Sequence, residues 1–341
     1  MKKLMIVCSS CRFIIMLMAV SGCFISCSAQ EPFGTNLLKL EKEIALPSVK
    51  GRIDHMDVNL KAQIVYVAAL GNNSLEAVSL TEGRIIHSIH GLDEPQGVGY
   101  IPQRQEIIVA NGGSGDCYFY NAKSFEKVGT IHLSSDADDV RYDSASKRIY
   151  VGYGNGGIAV IDADTHKQIG DVKLPAHPES FQIDEKLKLL FVNLPDAHMV
   201  ASVDLTRMQV INKWVRNAPT ANFPMALDEM NHRVMIGYRR PARLVVLDGK
   251  TGKEISINPM VGDADDLYYD GETAEVYISG GDGYINIFRQ SRANTYKQIA
   301  NILTRIGART SLFVRRQKIF VLAARAQAGK PAGLLVYKTG R

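Results

Sequence analysis

Apolar and polar positions along the chain alternate in short runs that recur in groups of four. The clearest group reads DVRYD, RIYVGY, GIAVID and KQIGDVKL, at 139–143, 148–153, 157–162 and 167–174. Turn-forming residues separate the runs, and hardly any helical periodicity lies between them. Each group therefore predicts four short β-strands joined by turns.

The group of four recurs seven times with nearly constant length. One apolar position of the first run marks each copy, and successive marks lie 41 to 45 residues apart: Met56, Val98, Val140, Phe181, Met225, Leu267 and Leu312. A residue of the second run follows ten positions later in six copies and eight positions later in the seventh. Four short strands per repeat of this length are typical of a propeller blade. The sequence predicts an all-β fold, a seven-bladed β-propeller with four-stranded antiparallel blades.

The two ends of the repeat array complement each other. The seventh copy has three runs and lacks a fourth, whereas the stretch LLKLEKEIAL at 37–46 alternates like a strand and precedes the first copy. Pairing of this stretch into the last blade would complete all seven blades and leave no exposed sheet edge at the junction. We therefore expect one propeller domain over 37–341, closed by its N-terminal strand.

The first residues resemble an export signal. Lys2, Lys3 and Arg12 precede an apolar stretch at 13–20 that is too short to span a bilayer comfortably. The run Val20-Ser21-Gly22-Cys23 resembles a bacterial lipobox, which predicts a signal peptide at 1–22, lipidation of Cys23 and a linker at 23–36. The rival cleavage site follows Ala29. The first site predicts a periplasmic or outer-membrane-anchored lipoprotein that meets the membrane through its lipid alone, and the second a secreted soluble protein.

Composition narrows the classes of partner and cofactor. The chain is 46% apolar and 22% charged, typical of a globular protein, and its net charge of +5 falls to +2 without residues 1–22. Because no basic block with interleaved aromatics stands out, a nucleic-acid partner is weakly supported. Cys117 is the single cysteine after residue 27, which excludes a disulfide framework and a thiolate metal cluster within the repeats. We expect a monomer.

The third copy resembles the repeats of the YVTN family of bacterial extracytoplasmic propellers, the YncE-like proteins. The matching features are Tyr150-Val151 in the second run, Ala159-Val160-Ile161-Asp162 in the third, and Pro95-Gln96-Gly97 and Pro178-Glu179-Ser180 before the second and fourth copies. The resemblance covers almost the whole chain after the leader and implies the propeller fold. It implies no single function, because such propellers include nucleic-acid binders, redox-associated proteins and relatives of lactonases.

Three copies depart from the family pattern where a Pro-x-Gly turn is expected. They carry Ile53-Asp54-His55, Ala137-Asp138-Asp139 and Ala264-Asp265-Asp266 instead. In a propeller the first strand of each blade lines the central channel, so the residues before these strands should meet at one channel mouth. The predicted site residues are Asp54, His55, Gln96, Asp138, Asp139, His177, Glu179, Asp265, Asp266 and Arg309. The cations expected on the same face are Arg52, Arg239, Arg240, Arg243, Arg325 and Lys330.

Three roles remain open for this polar ring. The residues could serve only as hydrogen bonds and ion pairs between blades, they could bind a ligand without a metal, or a subset could bind Ca²⁺, Mg²⁺ or Zn²⁺. The metal-ligand candidates are Asp54, His55, Asp139, Glu179 and Asp266.

The absence of a catalytic motif from the sequence favours a non-catalytic propeller that binds a small molecule or a partner protein at the channel mouth. The alternative is a metal-dependent, lactonase-like hydrolase in the same channel mouth, with a metal-bound water and a general base chosen from His55, His177 and Glu179. The sequence leaves the question of enzymatic activity open.

Overall fold

Four-stranded antiparallel sheets repeat seven times along the chain. The structure, a computed structural model, describes residues 32–292 and 294–340. The predicted signal peptide, the rival cleavage site after Ala29 and the lipidation site Cys23 lie outside these residues. These described residues form one compact unit.

The first strand stands apart from the repeats, and the next sixteen form four blades. The strands are β1 (Leu38–Leu46); in blade one β2 (Met56–Asn59), β3 (Ile64–Ala69), β4 (Ser74–Ser79) and β5 (Arg84–His90); in blade two β6 (Pro95–Ile101), β7 (Glu106–Asn111), β8 (Asp116–Asn121) and β9 (Lys127–His132); in blade three β10 (Val140–Asp143), β11 (Arg148–Tyr153), β12 (Gly157–Asp162) and β13 (Lys167–Lys173); and in blade four β14 (Phe181–Asp184), β15 (Leu189–Leu194), β16 (Met199–Asp204) and β17 (Gln209–Val215).

The remaining strands form blades five to seven. They are β18 (Thr220–Asp228), β19 (Arg233–Arg240), β20 (Ala242–Asp248) and β21 (Glu254–Pro259) in blade five; β22 (Ala264–Asp270), β23 (Glu275–Gly280), β24 (Tyr284–Arg292) and β25 (Thr295–Leu303) in blade six; and β26 (Ser311–Val314), β27 (Ile319–Ala324) and β28 (Ala332–Thr339) in blade seven. Within the described ranges, short 3₁₀ helices lie at Leu70–Asn72, Pro195–Ala197 and Arg315–Gln317. The described residues contain no helix of the length and apolarity that a membrane crossing requires.

The blades pack face to face, and this packing explains the apolar pattern of their strands. Second and third strands such as β3 are buried on both faces, whereas fourth strands such as β17 alternate between exposed and half-buried positions. The buried apolar residues form seven clusters, each joining two neighbouring blades. The core is therefore a ring of seven blade interfaces.

The ring closes between blades seven and one. The first strands of consecutive blades contact one another all the way round, including β26 with β2. The Thr310 hydroxyl donates a hydrogen bond of 3.2 Å to the Ile53 carbonyl across this junction. The seven-bladed propeller predicted from the sequence is confirmed.

The N-terminal strand completes the last blade as predicted. Strand β1 pairs antiparallel with β28, from Leu38 opposite Thr339 to Leu46 opposite Ala332. Of the predicted linker, residues 32–36 are described, and Phe33 pairs with Asn301 of blade six through two backbone hydrogen bonds of 3.1 and 2.9 Å.

The sequence register of the seventh copy was wrong by one residue. In the other six blades the marked residue pairs with the residue eleven positions later, as Met56 does with Val67. In blade seven, Ser311 pairs with Leu322, eleven positions later, whereas Leu312 pairs with Val321, nine positions later. Ser311, and not Leu312, is therefore equivalent to the marked residues of the other blades. Ser311 is buried despite its polarity because its hydroxyl bonds to that of Ser279 at 2.8 Å. With Ser311 as the mark, the paired residue of the second strand lies eleven positions later in every blade.

Candidate functional site

The residue two places before the marked position of each blade lies at one mouth of the channel. All seven line a single cavity of about 240 Å³: Asp54, Gln96, Asp138, Glu179, Phe223, Asp265 and Arg309. The corrected register puts Arg309, from blade seven, in the same ring position as the aspartates of the other blades. Equivalent positions of seven separate segments thus build one pocket.

Nine of the ten predicted site residues line this cavity. They are Asp54, His55, Gln96, Asp138, Asp139, His177, Glu179, Asp265 and Arg309. Asp266 is not part of the lining. Arg52 and Arg239 also line it, as expected from their face of the molecule, and so do Ser180 and Phe223, which lie within two residues before the marked positions of blades four and five. Asp136 lines it as well and was not predicted.

Asp139 and Asp266, the second aspartate of each Asp-Asp pair, connect neighbouring blades. One carboxylate oxygen of Asp139 accepts the backbone N–H of Phe181 at 3.3 Å, and one of Asp266 accepts that of Ser311 at 2.6 Å. Each bond satisfies the first N–H of the next blade's inner strand. Burial raises the pKa of Asp266 to about 7. Asp139 and Asp266 therefore form hydrogen bonds between blades, the first of the three roles considered for the polar ring.

Asp265, the first aspartate of its pair, lies between two arginines. Its Oδ1 accepts a hydrogen bond from Arg239, and its Oδ2 lies 3.0 Å from Nε of Arg309. Arg309 also donates to Asp263 at 2.7 Å, and the Arg239 guanidinium lies 3.7 Å above the Phe223 ring. These contacts compensate the charge of Asp265 on the side of the cavity formed by blades five to seven.

The first aspartate of the other pair, Asp138, is only partly compensated. Its Oδ1 is buried, lies 3.6 Å from Nε2 of His55 and has no hydrogen-bond partner among the described residues. Burial opposes ionisation of Asp138, but His55, followed by His177 and Arg52, together outweigh it and lower the pKa of the carboxyl. Burial likewise opposes protonation of His55, yet Asp138, Asp139 and Asp54 raise the pKa of the imidazole well above its usual range.

Asp54 and Asp136 have partners at the rim of the cavity. Arg52 donates to Asp54 at 2.6 Å, while burial, followed by the charge of Asp138, raises the pKa of Asp54 to about 6. The Gln96 amide donates to Asp136 at 3.0 Å. Nδ1 of His177 lies 2.6 Å from the Gly154 carbonyl, which can only accept, so Nδ1 carries the proton and donates it.

Glu179 differs from the other carboxylates of the cavity. Its backbone N–H donates to Asn193, but its carboxyl makes neither a hydrogen bond nor an ion pair with any residue that the structure describes. Burial, followed by the charges of Asp138 and Asp265, raises the pKa of Glu179 to about 8. The Glu179 carboxyl and Oδ1 of Asp138 are therefore two acceptors without hydrogen-bond donors in the same cavity.

Sequence reasoning missed one cation inside the channel. Arg141, one residue after the marked Val140, forms an ion pair with Asp139, and its charge offsets a small part of the rise that burial causes in the pKa values of Asp57 and Asp266. Burial nonetheless dominates at Asp57 and raises its pKa to about 6. Extending the ring comparison to the position after each mark would have identified Arg141 and Asp57.

The metal-ligand candidates do not converge on one point. Across residues 32–292 and 294–340, no three His, Cys, Asp or Glu side chains are grouped as ligands of a metal ion would be. Asp54 accepts from Arg52, while Asp139 and Asp266 accept backbone N–H groups. These contacts occupy oxygens that a metal ion would need. A bound divalent cation stays a prediction.

Comparison with known proteins identifies the fold and no family. No protein-family model matches the chain, and no curated protein sequence does. A chain in the crystal structure of the mitotic checkpoint complex is similar over 96% of this chain and 98% of its own length, with a TM-score of 0.74 and 14% identity. The hydrazine synthase of Kuenenia stuttgartiensis is similar over 85% of this chain and 97% of that one, with a TM-score of 0.72 and 13% identity. At such low identity these similarities show the propeller fold alone.

Proposed function

We propose that the protein is a non-catalytic binding propeller whose channel mouth takes up a small ligand with a cationic group, such as a primary ammonium. The observation that carries the proposal is the pair of buried or half-buried acceptors without donors, the Glu179 carboxyl and Oδ1 of Asp138. A buried polar group without a partner is costly, and a bound ammonium would supply the missing donors.

The charge of the cavity supports a cationic ligand. Its lining holds six carboxyl groups, namely those of Asp54, Asp136, Asp138, Asp139, Glu179 and Asp265, against the three guanidinium groups of Arg52, Arg239 and Arg309. Even with His55 protonated, the acidic groups outnumber the cations. The field in a partly enclosed cavity therefore favours a positively charged guest. The volume of about 240 Å³ suits a small molecule.

A thermal-shift experiment on the full chain tests this proposal. We expect 1,4-diaminobutane to raise the melting temperature with increasing concentration at about pH 9, where Glu179 is ionised and the amine is still protonated. Glu179→Gln should weaken the apparent affinity roughly 10- to 100-fold, because a charge-assisted hydrogen bond is lost.

The matched control is Glu41→Gln, which removes an exposed carboxylate on β1 and should behave like the wild type. Equal stabilisation of the Glu179→Gln variant, or stabilisation by butyrate and not by the diamine, would refute the proposal.

A metal-dependent hydrolase of the lactonase type is the second candidate. The pKa of Asp138 is lowered while that of Glu179 is raised, and such divergence is typical of acid–base pairs in enzymes. Lactone turnover by the full chain with added Ca²⁺, Mg²⁺ or Zn²⁺, lost in Glu179→Gln, would support this candidate. Absence of lactone turnover with all three ions would contradict a lactonase that depends on Ca²⁺, Mg²⁺ or Zn²⁺.

We further propose export of the protein and attachment to a membrane through lipid on Cys23. The support is the basic and apolar leader with its lipobox-like run, together with the resemblance of the repeats to extracytoplasmic YVTN propellers. Incorporation of labelled palmitate in a bacterial host, abolished by Cys23→Ser, is the expected result. Release of an unlabelled protein that begins at Gln30 would favour the soluble alternative.

A further inference from the structure

We propose that a second subsite beside the channel mouth binds an anionic group, so that the ligand is dipolar. Resting on the proposed function, this inference adds that a carboxylate or phosphate on the ligand is held by Arg52, Arg309 and Arg325, while its ammonium group contacts Glu179. The ligand class is then an amine that carries an acid group at a distance along the same molecule.

The subsite is a cavity of about 80 Å³ next to the mouth. The two cavities adjoin, because Arg52 and Arg309 line both. The lining of the smaller one contains three guanidinium groups, those of Arg52, Arg309 and Arg325, and within the described chain its one carboxylate is that of Asp263. Arg52 and Arg309 are shared with the larger cavity and form ion pairs with Asp54 and Asp265, so Arg325 is the cation that the smaller cavity adds.

Arg325 is the cation available for a ligand. It follows β27, and its guanidinium makes no hydrogen bond or ion pair with any residue in the described ranges. By contrast, Arg309 donates to Asp263 and Arg52 donates to Asp54. An arginine without a carboxylate partner presents its planar set of N–H donors to an oxyanion, which it can bind through two parallel hydrogen bonds.

Gly307 leaves room beside the backbone for the Arg325 guanidinium. A Cβ atom on Gly307 would lie 2.6 Å from both Nε and Nη2 of Arg325, so a side chain there would collide with the guanidinium. Gly307 also has a φ of +77°, which favours glycine. The guanidinium therefore lies directly against the main chain of the loop before β26, at the edge of the small cavity.

The two adjoining cavities favour a dipolar ligand over a simple ion. A plain amine leaves the Arg325 guanidinium without an anionic partner among the described residues, and a plain anion leaves the Glu179 carboxyl and Oδ1 of Asp138 without donors. A molecule with both charges satisfies both subsites at once, and linking the two contacts makes the second one intramolecular.

Calorimetric titration of the full chain tests the inference. The dipolar probes are glycine, 4-aminobutyrate, 6-aminohexanoate and 2-aminoethyl phosphate, and hexylamine serves as the cation without an acid group. We expect at least one dipolar probe to bind about tenfold or more tightly than hexylamine. The carbon chain length with the tightest binding reports the spacing of the subsites. Tighter binding than hexylamine by the amino carboxylates, or by 2-aminoethyl phosphate, identifies the acid group that the subsite prefers.

Two arginine variants separate the subsites. Arg325→Gln should reduce the affinity for the best dipolar probe to that for hexylamine and leave hexylamine binding unchanged. Arg316→Gln, which removes an exposed arginine in the 3₁₀ helix at Arg315–Gln317, should match the wild type with every probe. Binding of hexylamine with no gain for any dipolar probe would overturn this inference alone. Failure of hexylamine and of every dipolar probe would overturn the proposed function as well.

Discussion

At the scale of single residues, adjacent aspartates with the same sequence context have different roles. In blades three and six the first aspartate faces the channel mouth, where Asp138 meets His55 and Asp265 meets two arginines. The second aspartate accepts the first N–H of the next blade's inner strand. Successive residues of an extended chain point to opposite sides, so the first carboxylate of each Asp-Asp faces the cavity and the second reaches the next blade, although Asp139 also lines the cavity.

Asp266→Asn tests the inter-blade role through the pH dependence of stability. Because burial raises the pKa of Asp266 to about 7, the unfolded chain binds fewer protons than the folded protein between about pH 4 and pH 7. The stabilising contribution of this group is complete below that window and is lost as the pH rises through 7. The asparagine keeps an acceptor for Ser311 and cannot ionise. The difference in unfolding free energy, variant minus wild type, should therefore increase by on the order of 1 kcal/mol per pH unit between about pH 5 and 7.

The measurement is urea unfolding of both proteins across that range. Other carboxyls with raised pKa values, such as Asp57, are present in both and do not affect the difference. Asp196→Asn, in the exposed part of the 3₁₀ helix at Pro195–Ala197, should run parallel to the wild type. If the unfolding free energy of Asp266→Asn also runs parallel to that of the wild type across this pH range, Asp266 ionises normally in the folded protein.

At the scale of strands, β1 joins the ends of the chain. Ile44 is 1% exposed and lies in the cluster between blades seven and one, whereas Leu40 on the same strand is 47% exposed. Ile44→Ala should lower the unfolding free energy by about 2–5 kcal/mol, because it leaves a cavity in the core. Leu40→Ala should stay within about 0.5 kcal/mol of the wild type. Urea unfolding measures both, and equal losses would mean that β1 does not pack as a blade strand.

Strands were predictable wherever apolar character and burial agree. The pattern places β1 in blade seven and locates the first strand of blades one to six correctly. It failed at blade seven, where Leu312 is the more apolar residue but Ser311 is the buried one. The reason is a hydroxyl pair with Ser279 of the neighbouring blade, a contact between residues 32 positions apart that no local pattern reports.

At the scale of the whole molecule, closure of the ring decides which residues meet. Position along the repeat was enough to predict the membership of the channel mouth, because equivalent residues of a closed ring lie at equal depth. Position could not predict the pairing. Asp265 lies between arginines of blades five and seven, whereas Glu179 has no such neighbour among the described residues, and only the packed side chains show this difference.

We propose that a cationic ligand binds the Glu179 carboxyl, which has no hydrogen-bond or ion-pair partner among the described residues. Its pKa of about 8 means that it is mostly protonated at about pH 7, so binding of an ammonium group should expel the proton. Titration calorimetry with 1,4-diaminobutane, in two buffers of different ionisation enthalpy, counts the protons released. We expect release of about one proton by the wild type, with weakened binding and no release in Glu179→Gln. Binding without proton release in the wild type, or undiminished binding by the variant, would contradict this proposal.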